Sequence, residues 1–298
     1  MSKLTELYTT QKILQNSFDT NGFLNVQLVN SSGNVIPTYI HGIGVINQPY
    51  LYAIAEGIIS NHEVFRKSGY NSDIDNTLED IWDVGGLYTF PTASMQMEVV
   101  STSANDSALG IGARKVEIHY LDNTYTSHSE SVTLSGVTPV PTTATNIFRV
   151  NEFHLLEVGS SGSAAGANGN IDLRHLNNTP IYARIVAGFN ACQSCIYTVP
   201  IDRTLYLTSW NFAAGASAAN HYTQGRLEMT VNNVDQVLRG VFITQDITIA
   251  VDNGTRHVFE VPIQVPPTAD LKVSAISDSS SSNVNVASSL EGWFEINE

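Results

Sequence analysis

The chain has 298 residues and carries 14 Lys and Arg against 28 Asp and Glu, a formal charge of −14 with histidine neutral. That length allows two cores of roughly 100 to 150 residues each. A surface this acidic repels both a phosphate backbone and an anionic membrane, which excludes a general nucleic-acid binder. Charged residues make up 14% of the chain against about 25% in an average soluble domain, so hydroxyls and amides solvate its surface.

No run approaches the roughly 18 apolar residues of a membrane span, and the first residues lack the basic and apolar regions of a secretory signal. The expectation is a chain folded in a cytoplasm without membrane insertion. Two cysteines, Cys192 and Cys195, are too few for a disulfide framework, so apolar burial and sheet hydrogen bonds must hold the fold.

In chain order, Leu4, Leu7, Tyr8, Ile13 and Leu14 stand partly at helical spacing, which suits a short helix or an extended arm. Val26 and Leu28 face Val35-Ile36 across Asn30-Ser31-Ser32-Gly33-Asn34, a hairpin pattern with turn-forming residues at its centre. Residues 1–49 thus read as an N-terminal module. Asp75 to Trp82 suggests a short helix with an acidic cap.

From Leu87 onward, β-branched and aromatic runs are cut at short intervals by Gly, Asn, Asp and Pro, the rhythm of a sandwich or barrel. Strands are expected over 116–120, 131–134, 147–150, 155–158, 171–176 and 181–186. A second series is expected over 204–210, 227–231, 236–242, 247–250, 257–261, 271–275 and 292–296. Gly159 to Asn170, almost wholly Gly, Ser, Ala and Asn, reads as a loop.

Two stretches share one order of landmarks. Leu87-Tyr88-Thr89-Phe90-Pro91 precedes an alternating run from Met95 to Val100, a small-residue segment and the strand opening Ala113-Arg114-Lys115. Ile196-Tyr197-Thr198-Val199-Pro200 precedes Thr204 to Trp210, another small-residue segment and Gly225-Arg226-Leu227. The expected fold is therefore all-β, with two tandem antiparallel, jelly-roll-like β-sandwiches over 50–190 and 191–298 behind the arm at 1–49.

Candidate chemistry is sparse. Cys192-Gln193-Ser194-Cys195 has redox or half-zinc spacing, but no second pair exists to complete a zinc site; a local disulfide is the other reading. Asp73, Asp75 and Glu79 cluster oxygen ligands without the glycine and terminal glutamate of a calcium-binding helix–loop–helix, so they read as a solvated turn or a surface calcium site. The eight histidines show no ligand spacing, and no nucleophile elbow, phosphate loop or dinucleotide fingerprint is present. The expectation is a non-enzyme with no catalytic, cofactor or metal residues. Trp82, Trp210 and Trp293 suit sandwich cores better than a sugar-binding groove.

Several motifs carry a family resemblance. Lys12-Ile13-Leu14-Gln15-Asn16-Ser17-Phe18-Asp19, Ala53-Ile54-Ala55-Glu56-Gly57, Lys67-Ser68-Gly69-Tyr70-Asn71, Ile81-Trp82 and Leu87 to Pro91 resemble virion structural proteins of tailed bacteriophages of the marine type. Ser103-Ala104-Asn105-Asp106, Gly112-Ala113-Arg114, Tyr197 to Pro200 and Glu291 to Ile296 are similar to the same proteins. The resemblance implies a protein on the particle exterior, trimeric or otherwise cyclic, with no catalytic residues. The expected partners are the major capsid protein or a tail protein of the same virion and further copies of itself. The leading expectation is a capsid decoration or short head-fibre protein docked through its N-terminal arm. The alternatives are a tail-associated protein that binds a host surface glycan, a double jelly-roll coat protein, and a secreted carbohydrate-binding module.

Overall fold

The computed structural model describes residues 50–161, 166–215, 221–230, 241–279 and 283–297, with four strand fragments before them. The chain divides into two units, Met1–Val64 and Phe65–Glu298. In the first, β1 (Leu28–Val29) pairs antiparallel with β2 (Val35–Ile36), Leu28 opposite Ile36, as the turn-forming residues between them predict. β3 (Ile40–His41) pairs with β4 (Gly44–Val45), and α1 (Tyr50–Ala55) buries Ala53 and Ile54. The residues expected to form an arm helix, 4–14, lie outside the described ones, as do most of those in the strand expected over 236–242.

Among the described residues, the second unit is all-β and is built from four small antiparallel sheets. Its strands are β5 (His62–Ile74, entering from the first unit), β6 (Glu79–Asp80), β7 (Met97–Ser101), β8 (Ala113–Leu121), β9 (Ser127–Thr133), β10 (Val140–Pro141), β11 (Arg149–Val158), β12 (Ile171–His175) and β13 (Ile181–Ile185). There follow β14 (Ile196–Thr198), β15 (Arg203–Ala214), β16 (Thr223–Thr230), β17 (Ile243–Ala250), β18 (Gly254–Val265), β19 (Asp270–Ser277) and β20 (Val284–Ile296). Sheet I runs β10-β7-β12-β13, sheet II β11-β8-β9, sheet III β14-β19-β16-β17 and sheet IV β18-β15-β20-β5, with β6 also pairing with β19 in sheet III.

Period-2 alternation assigns each strand an inner face. Met97, Val99, Ile171 and Leu173 from sheet I and Val116, Ile118, Val132 and Phe153 from sheet II fill one core. Leu227, Leu271, Val273 and Ala275 from sheet III and Leu205, Trp210, Phe212, Val286 and Leu290 from sheet IV fill the other. The paired landmarks send their strands the same way in both. β7 and β8 go to the two sheets around the first core, and β15 and β16 to the two sheets around the second.

Three local expectations are corrected. Asp75 to Trp82 forms no helix: the Asp75 carboxylate accepts from Thr77 N at 2.7 Å and Thr77 Oγ1 at 2.6 Å, a local side-chain turn that competes with helix hydrogen bonds. Glu79 and Asp80 instead pair with Ala275 and Ser274. The segments 147–150 and 155–158 belong largely to one strand, β11, whose polar middle is bent by irregularities at Val150/Glu152 and Leu155/Glu157. β20 starts eight residues before the expected 292, because Val284, Val286, Ser288 and Leu290 point inward while Asn285, Ala287 and Ser289 between them face out.

β5 belongs to sheet IV and β6 pairs with β19 in sheet III, although the sequence reading places residues 65–80 in one domain with 83–190. Phe65, Ile74 and Ile81 are buried in the C-terminal core. The chain therefore leaves that core after Ile81, builds the other, and returns at Cys195.

Candidate functional site: a polar joint with a groove beside it

The outgoing and returning segments run side by side. Trp82 and Ser194 form an antiparallel bridge, Cys195 N donates to Ile81 O at 2.9 Å, and Ile81 N donates to Val273 O at 2.8 Å. β5 lies directly against this neck at Gly69, where a Cβ would sit 2.4 Å from Cys195 N. Asp83 closes it, accepting from Gln193 N at 2.5 Å. Burial pushes the Asp83 carboxyl up to about 7, partly opposed by the Gln193 hydrogen bond and by the Arg184 charge.

The Cys-x-x-Cys residues sit on this neck as free thiols, one in each core's surroundings. Cys195 is fully buried in the C-terminal core and donates to Ser288 O at 3.2 Å; Cys192 packs against the other core. Burial pushes the thiols up to about 12 and about 11 respectively, which suppresses the thiolate that redox or metal chemistry needs.

Beside the neck, the two cores meet through charge. β19 is buried on both faces: Leu271, Val273 and Ala275 face the C-terminal core, while Asp270, Lys272 and Ser274 face the joint. Arg149 of β11 reaches Asp270 with a two-pronged pair, Nε to Oδ1 at 2.9 Å and Nη2 to Oδ2 at 3.0 Å. Both side chains are almost fully buried. Arg149 Nη1 also donates to Pro91 O at 2.7 Å, and its guanidinium lies 4.1 Å from the Phe148 ring centroid. Thr198 Oγ1 donates to Asp270 Oδ1 at 2.6 Å. Asn151 and the Thr198 backbone exchange two hydrogen bonds of 2.9 Å. Farther along, Lys272 pairs with Asp80 at 2.8 Å and faces the Phe242 ring at 4.6 Å. Burial raises the Asp80 carboxyl, and the Lys272 charge opposes that rise. The donors and acceptors match, which is what makes buried charge tolerable.

An open groove of about 820 Å³ crosses the outer face of sheet IV next to the neck. Its floor is made of small residues on adjacent strands, with Gly254, Ala213 and Ala287 in register. Asn211 donates to Ser289 at 3.0 Å across that floor, and Tyr70, Phe189 and Arg256 stand at its sides. Of the tryptophans, Trp82 and Trp210 are buried in the cores, and Trp293 stacks on Tyr206 with centroids 5.4 Å apart.

Asp73, Asp75 and Glu79 are not brought together as ligands. Asp73 accepts from Asn283, Asp75 from Thr77, and Glu79 from Asn71 and Gly86. Among the described residues, the grouping with metal-ligand spacing is Glu117, His119 and His154, whose ligand atoms lie within 4.8 Å of one another. Sequence reading missed it because His154 is 35 positions from His119 and only the β8–β11 register, Glu117 opposite His154, joins them. The legible signal was the Glu-x-His spacing, which puts both side chains on one face of a strand.

No family model and no curated protein matches the chain. Solved structures similar to it include chains from infectious bursal disease virus. A chain of the Gt strain structure is 12% identical, with 83% of this chain and 76% of that one covered and a TM-score of 0.17. A point mutant of the VP2 protein of the same virus, from derived T=1 particles, is 11% identical over 84% of each chain with a TM-score of 0.16. Likeness this weak says nothing of what the chain does.

Proposed function

We propose that this protein is a non-enzymatic virion structural protein, a capsid decoration protein that docks through residues 1–49 and assembles with copies of itself around a symmetry axis. In this reading sheets I and II form one β-sandwich and sheets III and IV a second, jelly-roll-like one, joined rigidly by the buried charge network. The motif resemblance supplies the class.

The observation that carries the assembly is an apolar edge. Among the described residues, β17 and β18 are the outermost strands of sheets III and IV. Together with the turn between them they expose Ile243, Ile247, Ile249, Val251, Val258 and Val261, each more than half accessible. Free strand edges with large apolar side chains invite pairing with another chain. Two different edges on one side of the molecule suit a head-to-tail contact, β17 of one copy beside β18 of the next, which closes into a ring when the rotation permits.

Sedimentation of the full chain tests this. The native protein is expected as a cyclic oligomer, and Ile243→Lys with Ile249→Lys as a folded monomer; a native monomer at tens of micromolar would sink the proposal. Particle-binding assays with residues 1–49 removed test the docking role, which fails if binding is undiminished.

The groove favours a second reading, a tail-associated protein that binds host surface glycan. Tyr70 and Phe189 offer rings, and Asn211 and Arg256 offer planar polar groups beside a floor of small residues. Glycan-array binding that is lost in Tyr70→Ala would support it over decoration.

A further inference from the structure

We propose that Glu117, His119 and His154 form a binding site for a divalent transition-metal ion, zinc above all, on the outer face of sheet II. Glu117 and His119 are two apart on β8 and share a face; the antiparallel register sets His154 of β11 opposite Glu117. Both strands are held from behind by fully or nearly fully buried core residues, Val116 and Ile118 on β8 and Phe153 on β11. The three ligands therefore stand on a rigid support.

The spacing suits a tetrahedral ion. Glu117 Oε2 lies 3.5 Å from His119 Nε2 and 3.3 Å from His154 Nε2. Zinc bonds to nitrogen and oxygen of about 2.0–2.1 Å in a tetrahedron put ligand atoms about 3.3–3.4 Å apart. Other histidine–carboxylate pairs in this chain are closer. His128 to Asp122 is 2.9 Å, His257 to Asp246 is 2.7 Å and His221 to Asp278 is 3.1 Å, all hydrogen-bonding distances. The Glu117 contacts are too long for charge-assisted hydrogen bonds and match two edges of a coordination tetrahedron, the third lying within 4.8 Å. The imidazole rings of His119 and His154 lie nearly parallel, 5.5 Å between centroids, with both Nε2 atoms at the same carboxylate oxygen.

Two imidazoles with one carboxylate select zinc and its neighbours over calcium or magnesium, which take all-oxygen shells. Three protein ligands leave a fourth position open. All three side chains are part-exposed, so that position faces outward, where water or a side chain of another molecule completes the shell. The site does not depend on the virion assignment.

The full chain, freed of any affinity tag and stripped with chelator, would be titrated with Zn²⁺ by calorimetry and with Co²⁺ by visible absorption. One equivalent of each is expected, with the intense bands of tetrahedral cobalt. His119→Ala, His154→Ala and Glu117→Gln are each expected to weaken binding at least about 100-fold, since loss of even a supporting residue costs 10–100-fold. His128→Ala is expected to leave it unchanged. Circular dichroism in chelator establishes that each variant is folded. Zinc binding no tighter than in the folded triple variant, or equal loss in His128→Ala, would overturn the proposal.

Discussion

At the scale of single residues, the joint is where substitution should cost most. Arg149 and Asp270 are both almost fully buried, and removal of one partner strands the other charge, at about 3–5 kcal/mol. Arg149→Met is expected to lower unfolding free energy by that amount in denaturant titrations, and Arg149→Met with Asp270→Leu to cost less than the single change. Asp83 is a pH-sensitive member. Its folded value of about 7 stands above its ordinary 3.8 because burial disfavours the charged form. Between those values the folded state binds more protons than the unfolded one, so the favourable contribution is complete below pH 4 and lost as pH rises to about 7. Asp83→Asn keeps an acceptor for Gln193 N. It is expected to flatten stability between pH 4 and 7 and, at pH 8, to add about 1–2 kcal/mol after screening of a part-exposed group is allowed for. An unchanged pH profile would show that Asp83 does not titrate in that window.

At the scale of elements, close approach of strands and core rings sets the limits. Gly225 of β16 lies under Phe212, where an added Cβ would meet the ring at 2.5 Å. Gly225→Val is expected to cost at least about 1–3 kcal/mol by overpacking, while the equivalent change at Gly215, with 3.5 Å to its nearest neighbour, is expected to be mild; thermal melts compare them. The elements also show what a one-dimensional reading reaches. Alternating apolar strands such as β12, β13 and β19 were legible because their cores lie on one face or on both. β5 was not: over thirteen residues it buries Phe65, Tyr197's ring partner, and Ile74, with Arg66, Lys67, Ser68 and Tyr70 between them, so charge hid its alternation. The neck was legible as a Cys-x-x-Cys motif but not as a crossing, because its meaning lies in pairing with residues 110 positions away, Asp83 with Gln193. The histidine–glutamate cluster was hidden for the same reason, since cross-strand register is not written in local spacing.

At the scale of the whole molecule, the described residues of the second unit form two large apolar cores, yet the chain crosses between them twice and one core is enclosed within the sequence of the other. The C-terminal core needs β5 and β6 from before the excursion and β14 onward from after it. Closing its sheets requires the intervening 83–193 to have brought Ile81 and Cys195 together, and a folded insert does this at lower entropic cost than a long open loop. The joint adds one buried ion pair that is made only when both cores are formed: Arg149 comes from sheet II and Asp270 from sheet III, and either without the other is a buried charge without its counterion. Unfolding of either core alone therefore leaves Arg149 or Asp270 without its counterion. Calorimetry of the native chain is expected to give one transition, with van't Hoff and calorimetric enthalpies equal, at concentrations where self-association does not shift the profile. Arg149→Met is expected to split it or to lower the enthalpy ratio, since the two cores would then be linked mainly by the neck. Two separated transitions in the native chain would mean that the cores are only tethered, and the rigid joint assumed for a particle-surface protein would have to be abandoned.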